Sequence, residues 1–244
     1  MDKSKSFGYS STQELSTLLS ENNGIDTEIK NLESKKYGAI ISIANAQELL
    51  RHAKQKRKSM LPWELGYYLA QQARRIWGIN GVFSTEELCK VLDTSPENLH
   101  DPLGRNNNFG LGVKHDDNVF SVALNKKHPT SARFMAARII CDAIIAPEED
   151  RVLPATSNKT ARQKTQRAFA AELLCPIDLI KDRIGTDYAN EDVWGEIAED
   201  FEVNPLVIKS QLANNHLIPQ FENTNVWFDS LQTVTPAYAT QEFI

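Results

Sequence analysis

Residues 119–125, VFSVALN, alternate with the period of two that a half-buried strand requires, and the chain after them returns to helical spacing. Phe120, Val122 and Leu124 fall on one face of that strand. Leu111 and Val113 fit a strand just before it, and Asp116-Asp117-Asn118 reads as the hairpin turn between the two. Helical patterns follow at 130–146, 159–174, 176–184, 190–201 and 205–213. Pro176 and Pro205 stand where helices begin, and Asn204 suits the cap of the last one. One short hairpin set among this many helices predicts an α+β fold that is mostly helical.

Upstream of the hairpin the pattern is also helical. Leu15, Leu18 and Leu19 share a face within 12–21, and Asn22-Asn23-Gly24 stops them. Helices are expected at 26–32 and at 38–54, the latter carrying Ile40, Ile41, Ala44, Leu49 and Ala53. Together they would form a helical cap or a partner surface. Pro62 opens a helix to Trp77 that Gly78 to Gly81 end. Ser84 and Glu87 have capping-box spacing for a helix through Leu92, and Ser95-Pro96 starts one more turn. Residues 101–118 are loop-like before the strand signal, and 221–244 read as an extended tail. The division expected is 1–60 as a helical extension with a basic linker, 61–220 as the main domain, and the tail.

Charge argues against the nucleic-acid class. With 27 basic and 32 acidic residues the net charge is −5, where a nucleic-acid binder shows a basic surplus or stripe. The one dense basic run, RHAKQKRK at 51–58, reads as a solvated helix end and linker. Cys89, Cys141 and Cys175 lack CxxC spacing, which points to a reducing compartment. The first residues are too polar for a signal peptide, and no stretch approaches the ~18 apolar residues of a membrane span. The expected location is the cytoplasm.

Four segments carry a family resemblance: PWELGYYLAQQAR (62–74), VFSVALNKKHPTSARFMAARIICDAII (119–145), QRAFAAELLCP (166–176) and IAEDFEVNPLVIKSQLANNHLI (197–218). They resemble the ImmA/IrrE family of metallopeptidase-like proteins over about residues 60–220. The resemblance implies a zincin-like minimal peptidase core, a short sheet packed on helices, flanked by the N-terminal extension and a C-terminal helix pair. It also implies a setting in stress response or in mobile-element and phage-related regulation, where active relatives cut DNA-binding repressors.

The chemistry of that family rests on His-Glu-x-x-His, two imidazoles one helical turn apart on one zinc and a carboxylate that takes a proton from the zinc-bound water. Anchored on Arg133-Phe134, the motif falls on Arg138, Ile139, Ile140, Cys141 and Asp142. A guanidinium has no lone pair to give a metal, and Ile139 is a hydrocarbon where the base belongs. The family's third ligand, an acid just before FAAELL, meets Arg162, Gln163, Lys164, Thr165 and Gln166. No catalytic or metal-binding role therefore transfers to these positions, and no cofactor is expected. A rebuilt metal set would have to draw on His128, Cys141, Asp142, Glu172 and Cys175.

Arg138 and Asp142 lie four apart, and Arg162, Gln166, Phe169 and Leu173 share the face of the next helix. These residues either form a polar cluster, Arg138–Asp142–Arg162–Gln166, in the former metal position, or stand solvated at a cleft mouth. An Asp142 more than about 4 Å from both arginines would exclude the cluster. The strand 119–125 is the expected edge for an added peptide strand, with Val119, Ser121 and Ala123 as candidate contacts.

Helices 190–201 and 205–213 resemble a helix-turn-helix, yet the second offers only Lys209, Ser210 and Gln211 as polar readers. Helix packing is the plainer reading. His115 and His128 read as cap or surface residues, and Trp63, Tyr67 and Tyr68 as core. The expectation is a non-catalytic, regulatory pseudo-peptidase that binds another protein, with a transcriptional regulator as the candidate class and no membrane partner. A hydrolase with a non-standard metal or polar site, and a DNA-binding regulator, are the alternatives.

Overall fold

Helix starts follow the local chemistry closely in the computed structural model, which describes residues 14, 16, 18, 24–36, 38–99, 107–116 and 118–219. The expected tail at 221–244, most of the helix at 12–21 and part of the loop at 101–118 lie outside these residues. α1 (Ile25–Glu33) and β1 (Ala39–Ser42) precede α2 (Ala46–Lys56), α3 (Pro62–Trp77) and α4 (Thr85–Val91). A 3-10 turn at Pro96–Leu99 leads to the hairpin of β2 (Gly110–Asp116) and β3 (Val119–Ala123). Then come α5 (Pro129–Ile145), β4 (Val152–Ala155), α6 (Ala161–Leu174), α7 (Ile177–Ile184), α8 (Glu191–Asp200) and α9 (Pro205–Asn214). Pro62 occupies the first turn of α3 and Gly78 ends it at φ +70°. The Ser84–Glu87 capping box forms as its spacing requires.

The four strands are ordered β1-β3-β2-β4, antiparallel throughout. One face packs on α5, and two glycines of β2 set how closely. A Cβ on Gly112 would stand 3.0 Å from Ile139 Cγ2, and one on Gly110 would stand 2.6 Å from Met135 Cγ. The other face carries Leu111, Val113 and Ala123, which pack with Ile25 and Leu32 of α1 and with Leu18. α5 and α6 are buried nearly all round, as a central helix must be. α6 lies against α3, and Gly66 marks their tightest approach: a Cβ there would come within 2.5 Å of the Thr165 carbonyl oxygen.

Two expectations change. The helix expected over 38–54 is instead β1 followed by α2. Gly38 at φ +85° and Asn45 at φ 54° bracket the short run AIIS, and a four-residue apolar run has too few positions to distinguish strand from helix by period. The segment between the helices expected at 130–146 and 159–174, given no strand from its sequence, contains β4, hidden because Pro154 sits inside it. A proline is tolerated in a strand when its missing N–H faces outward from the ladder. Residues 25–36 and 38–56 are consequently built onto the same sheet as the rest, since β1 pairs with β3 and α1 covers the sheet. Among the described residues no helix is long and apolar enough to cross a membrane.

Candidate functional site

α5 and α6 run side by side and bring their polar residues together in a region that excludes water. Thr160 caps α6 by accepting from the Gln163 amide, which fixes the rotation that sends Arg162, Gln163 and Gln166 inward. Arg138, Asp142, Arg162, Gln163 and Gln166 are all fully buried. Arg162 grips Asp142 at both oxygens, Nε to Oδ1 at 2.6 Å and Nη2 to Oδ2 at 2.7 Å. Its remaining Nη1 donates to Asp150 Oδ2 at 2.7 Å. This fork-on-fork geometry is the strongest form of ion pair between side chains. Burial opposes the Arg162 charge, but Asp142 and then Asp150 overcome it and hold the guanidinium above its ordinary value.

Arg138 is organised differently from the helix-face pair with Asp142 that its spacing allows. Its Nη2 donates to the Thr156 carbonyl at 2.6 Å, to Gln163 Oε1, and more distantly to Gln166 Oε1 at 3.4 Å. Burial, then the nearby Arg167 charge, pushes the Arg138 pKa down to about 9, which still leaves it charged at neutral pH. Asp142 and Arg162 are thus buried in contact, at 2.6 Å and inside the exclusion distance, while Arg138 is tied to Gln163 and Gln166. Gln163, Thr156 and Asp150 belong to the cluster as well. Gln163 was overlooked because the shared-face count from Phe169 and Leu173 reaches 162 and 166 and passes over its neighbour.

Gln163 also links the cluster to the sheet. Its Oε1 accepts from the Thr156 backbone N–H at 2.9 Å, and its Nε2 donates to the Pro154 carbonyl at 2.9 Å. A neighbouring strand would offer β4 the same donor and acceptor, so one carboxamide takes the place of a peptide unit along its outer side. Gln166 Nε2 adds a bond to the same Pro154 carbonyl at 3.1 Å.

Val119, Ser121 and Ala123 do not form an edge. β3 lies inside the sheet, with β1 paired on one side and β2 on the other, so its backbone groups are already in ladders. The strand signal of 119–125 was strong because β3 is central, and centrality is what removes it from peptide addition. Ser121 is fully buried and its Oγ lies 2.6 Å from His115 Nε2. His128 is exposed at the start of α5.

The C-terminal helix pair is consumed by packing. Gln211 is fully buried, with Nε2 donating to Glu172 Oε2 at 3.0 Å and to the Cys175 carbonyl at 2.9 Å. Its Oε1 accepts from the Tyr67 hydroxyl at 2.8 Å. Ser210 is buried too, while Lys209 reaches Glu191 at 3.4 Å and lies over the Trp194 ring. Two of three candidate base readers are thus unavailable to DNA. This second polar node, with Glu172 also accepting from Gln71 and the Ile177 amide, was not anticipated. Burial raises the Glu172 carboxyl and, with Glu172 adding its charge, raises the Tyr67 phenol to about 12. Trp63, expected in the core, is about half exposed at 49%, whereas Tyr67 and Tyr68 turn inward.

Asp142 is committed to Arg162, and Glu172 and Cys175 gather with Gln211 in a different node. Among the described residues no three of His, Cys, Asp and Glu come together in a way that would hold a metal ion. Cys89, Cys141 and Cys175 are buried free thiols. Compared with family models, curated proteins and solved structures, the chain finds no match in any of the three, and the likeness to ImmA/IrrE proteins rests on its four segments.

Proposed function

We propose that the chain is a zincin-like domain of the ImmA/IrrE type that performs no hydrolysis and acts inside the cell by binding another protein, a transcriptional regulator being the class the family likeness favours. The Asp142–Arg162–Asp150 network carries this reading. In the position the resemblance gives to the metal, the Asp142 carboxylate has both oxygens taken by a buried guanidinium whose other arm holds Asp150. Freeing both carboxylates to admit a cation would leave the buried Arg162 charge unpaired, at about 3–5 kcal/mol, and would supply two protein ligands with no imidazole or thiolate between them. Structural and catalytic zinc sites take three or four. The three free thiols support a reducing location.

Metal analysis tests this directly. Protein equilibrated with excess zinc and then dialysed should retain well under about one equivalent, and a chelator should leave its melting temperature unchanged. One equivalent of retained zinc together with chelator-sensitive cleavage of a repressor would overturn the reading.

A further inference from the structure

Glu14 and Leu18 are helical residues four apart, and both are buried, at 1% and 4% exposure, while Ser16 faces solvent. Their side chains enter different surroundings. The Glu14 carboxylate accepts from the Thr160 hydroxyl and from Gln163 Nε2, the latter at 2.6 Å. It therefore lies at the first turn of α6, where the helix end favours a negative charge. Leu18 joins Ile25, Leu32, Phe109, Leu111 and Val113 on the sheet face opposite α5. The receiving surface is a polar notch and an apolar bed spaced to suit side chains one helical turn apart.

Two observations mark this docking as exchangeable. Burial raises the Glu14 carboxyl above its usual range despite the hydrogen bonds from Thr160 and Gln163, so the acid is held with its desolvation incompletely offset. Gly24, which joins the segment to α1, has φ +95° and nothing within 4 Å of where a Cβ would stand, the conformation and open space of a pivot.

We infer that the notch formed by Thr160, Gln163 and the bed around Leu111 and Val113 is a docking site for a helix bearing a carboxylate four residues before a leucine. It is filled here in cis by Glu14 and Leu18. A partner helix with the same pattern enters by displacing them. This rests on the protein-binding reading above and gives that partner a recognition chemistry.

The test is a labelled peptide of residues 11–23, STQELSTLLSENN, titrated by fluorescence anisotropy against the full-length Glu14→Ala/Leu18→Ala variant and against the wild type. Saturable binding to the variant is expected, at least tenfold weaker to the wild type, whose own segment competes, and lost when the peptide carries the same two alanines. No binding to the variant, or equal binding to both proteins, would overturn the inference. If the double variant melts without a cooperative transition, Glu14→Gln, which keeps the size and one acceptor of the side chain, replaces it under the same two outcomes. Zinc retention is read separately. Failed docking with zinc-free protein overturns docking alone, and peptide exchange with bound zinc overturns the non-catalytic reading alone.

Discussion

Asp142 and Arg162 sit where water cannot substitute for either partner, so the pair is worth most when one half is taken away. Asp142→Asn leaves the Arg162 guanidinium with Asp150 as its remaining carboxylate, and about 3 kcal/mol of stability should be lost, read from the urea midpoint. Replacing the whole set, Asp142→Leu with Arg162→Met and Asp150→Asn, should recover most of that loss, because an apolar core with no buried carboxylate left behind avoids the desolvation cost. Lys126 makes a second case at this scale. Its amine donates to the Asn107 carbonyl, and burial, then the Arg138 charge, lowers its pKa to about 8 from 10.5. Between those values the unfolded chain binds the proton more readily, so this group makes stability rise as pH rises through the window, and its full cost applies below it. Lys126→Met should therefore stabilise the protein by about 2 kcal/mol at pH 7. It should also lose the wild type's gain between pH 8 and 10, checked by thermal melts of both proteins across that range.

At the scale of elements, the close crossing of α3 and α6 sets the geometry around both polar nodes. Gly66→Ala would drive a methyl onto the Thr165 carbonyl and the Ala168 methyl. A loss of about 1–3 kcal/mol is expected, while Gly81→Ala, with open space around it, should be close to neutral; denaturant curves distinguish them. The helices around these nodes were legible because each begins on a local signal: Pro62, the Ser84–Glu87 box, Asn204 before Pro205. β1 and β4 were not, since four residues carry no usable period and Pro154 argues against a strand that tolerates it only on an outer side. The cluster was legible as far as spacing reaches. Arg138, Asp142, Arg162 and Gln166 lie on predictable helix faces, but Asp150 and Thr156 come from a loop and a strand end, and no spacing rule places those beside a helix. Gln211 looked like a DNA reader because sequence cannot tell that Tyr67 and Glu172, 144 and 39 residues away, surround it.

Over the whole molecule, the boundary expected at residue 60 dissolves. β1 closes one side of β3, α1 covers Leu111 and Val113, and α2 reaches across through Lys54 to Glu148 at 2.7 Å. Deleting residues 1–60 should leave one side of β3 unpaired and an apolar sheet face bare. The remainder is expected to accumulate in the insoluble fraction, or to lack a cooperative melt, and a soluble fragment with sharp near-ultraviolet circular dichroism would contradict this. The same deletion would remove Glu14 and Leu18 with the core elements, which is why docking has to be probed with point variants in the full chain.

The carboxamide of Gln163 has a consequence for how the molecule behaves among its neighbours. An uncovered outer strand invites another chain to continue the ladder, the route by which proteins stack when concentrated. β4 is shielded at Pro154 and Thr156 by one side chain holding four hydrogen bonds. On the far side, Ser42 and Ala44 of the β1 segment donate to the Leu92 and Val91 carbonyls. Crowding therefore presses side-chain surfaces together before it meets free backbone at these positions, and encounters with other proteins are selected by shape and charge.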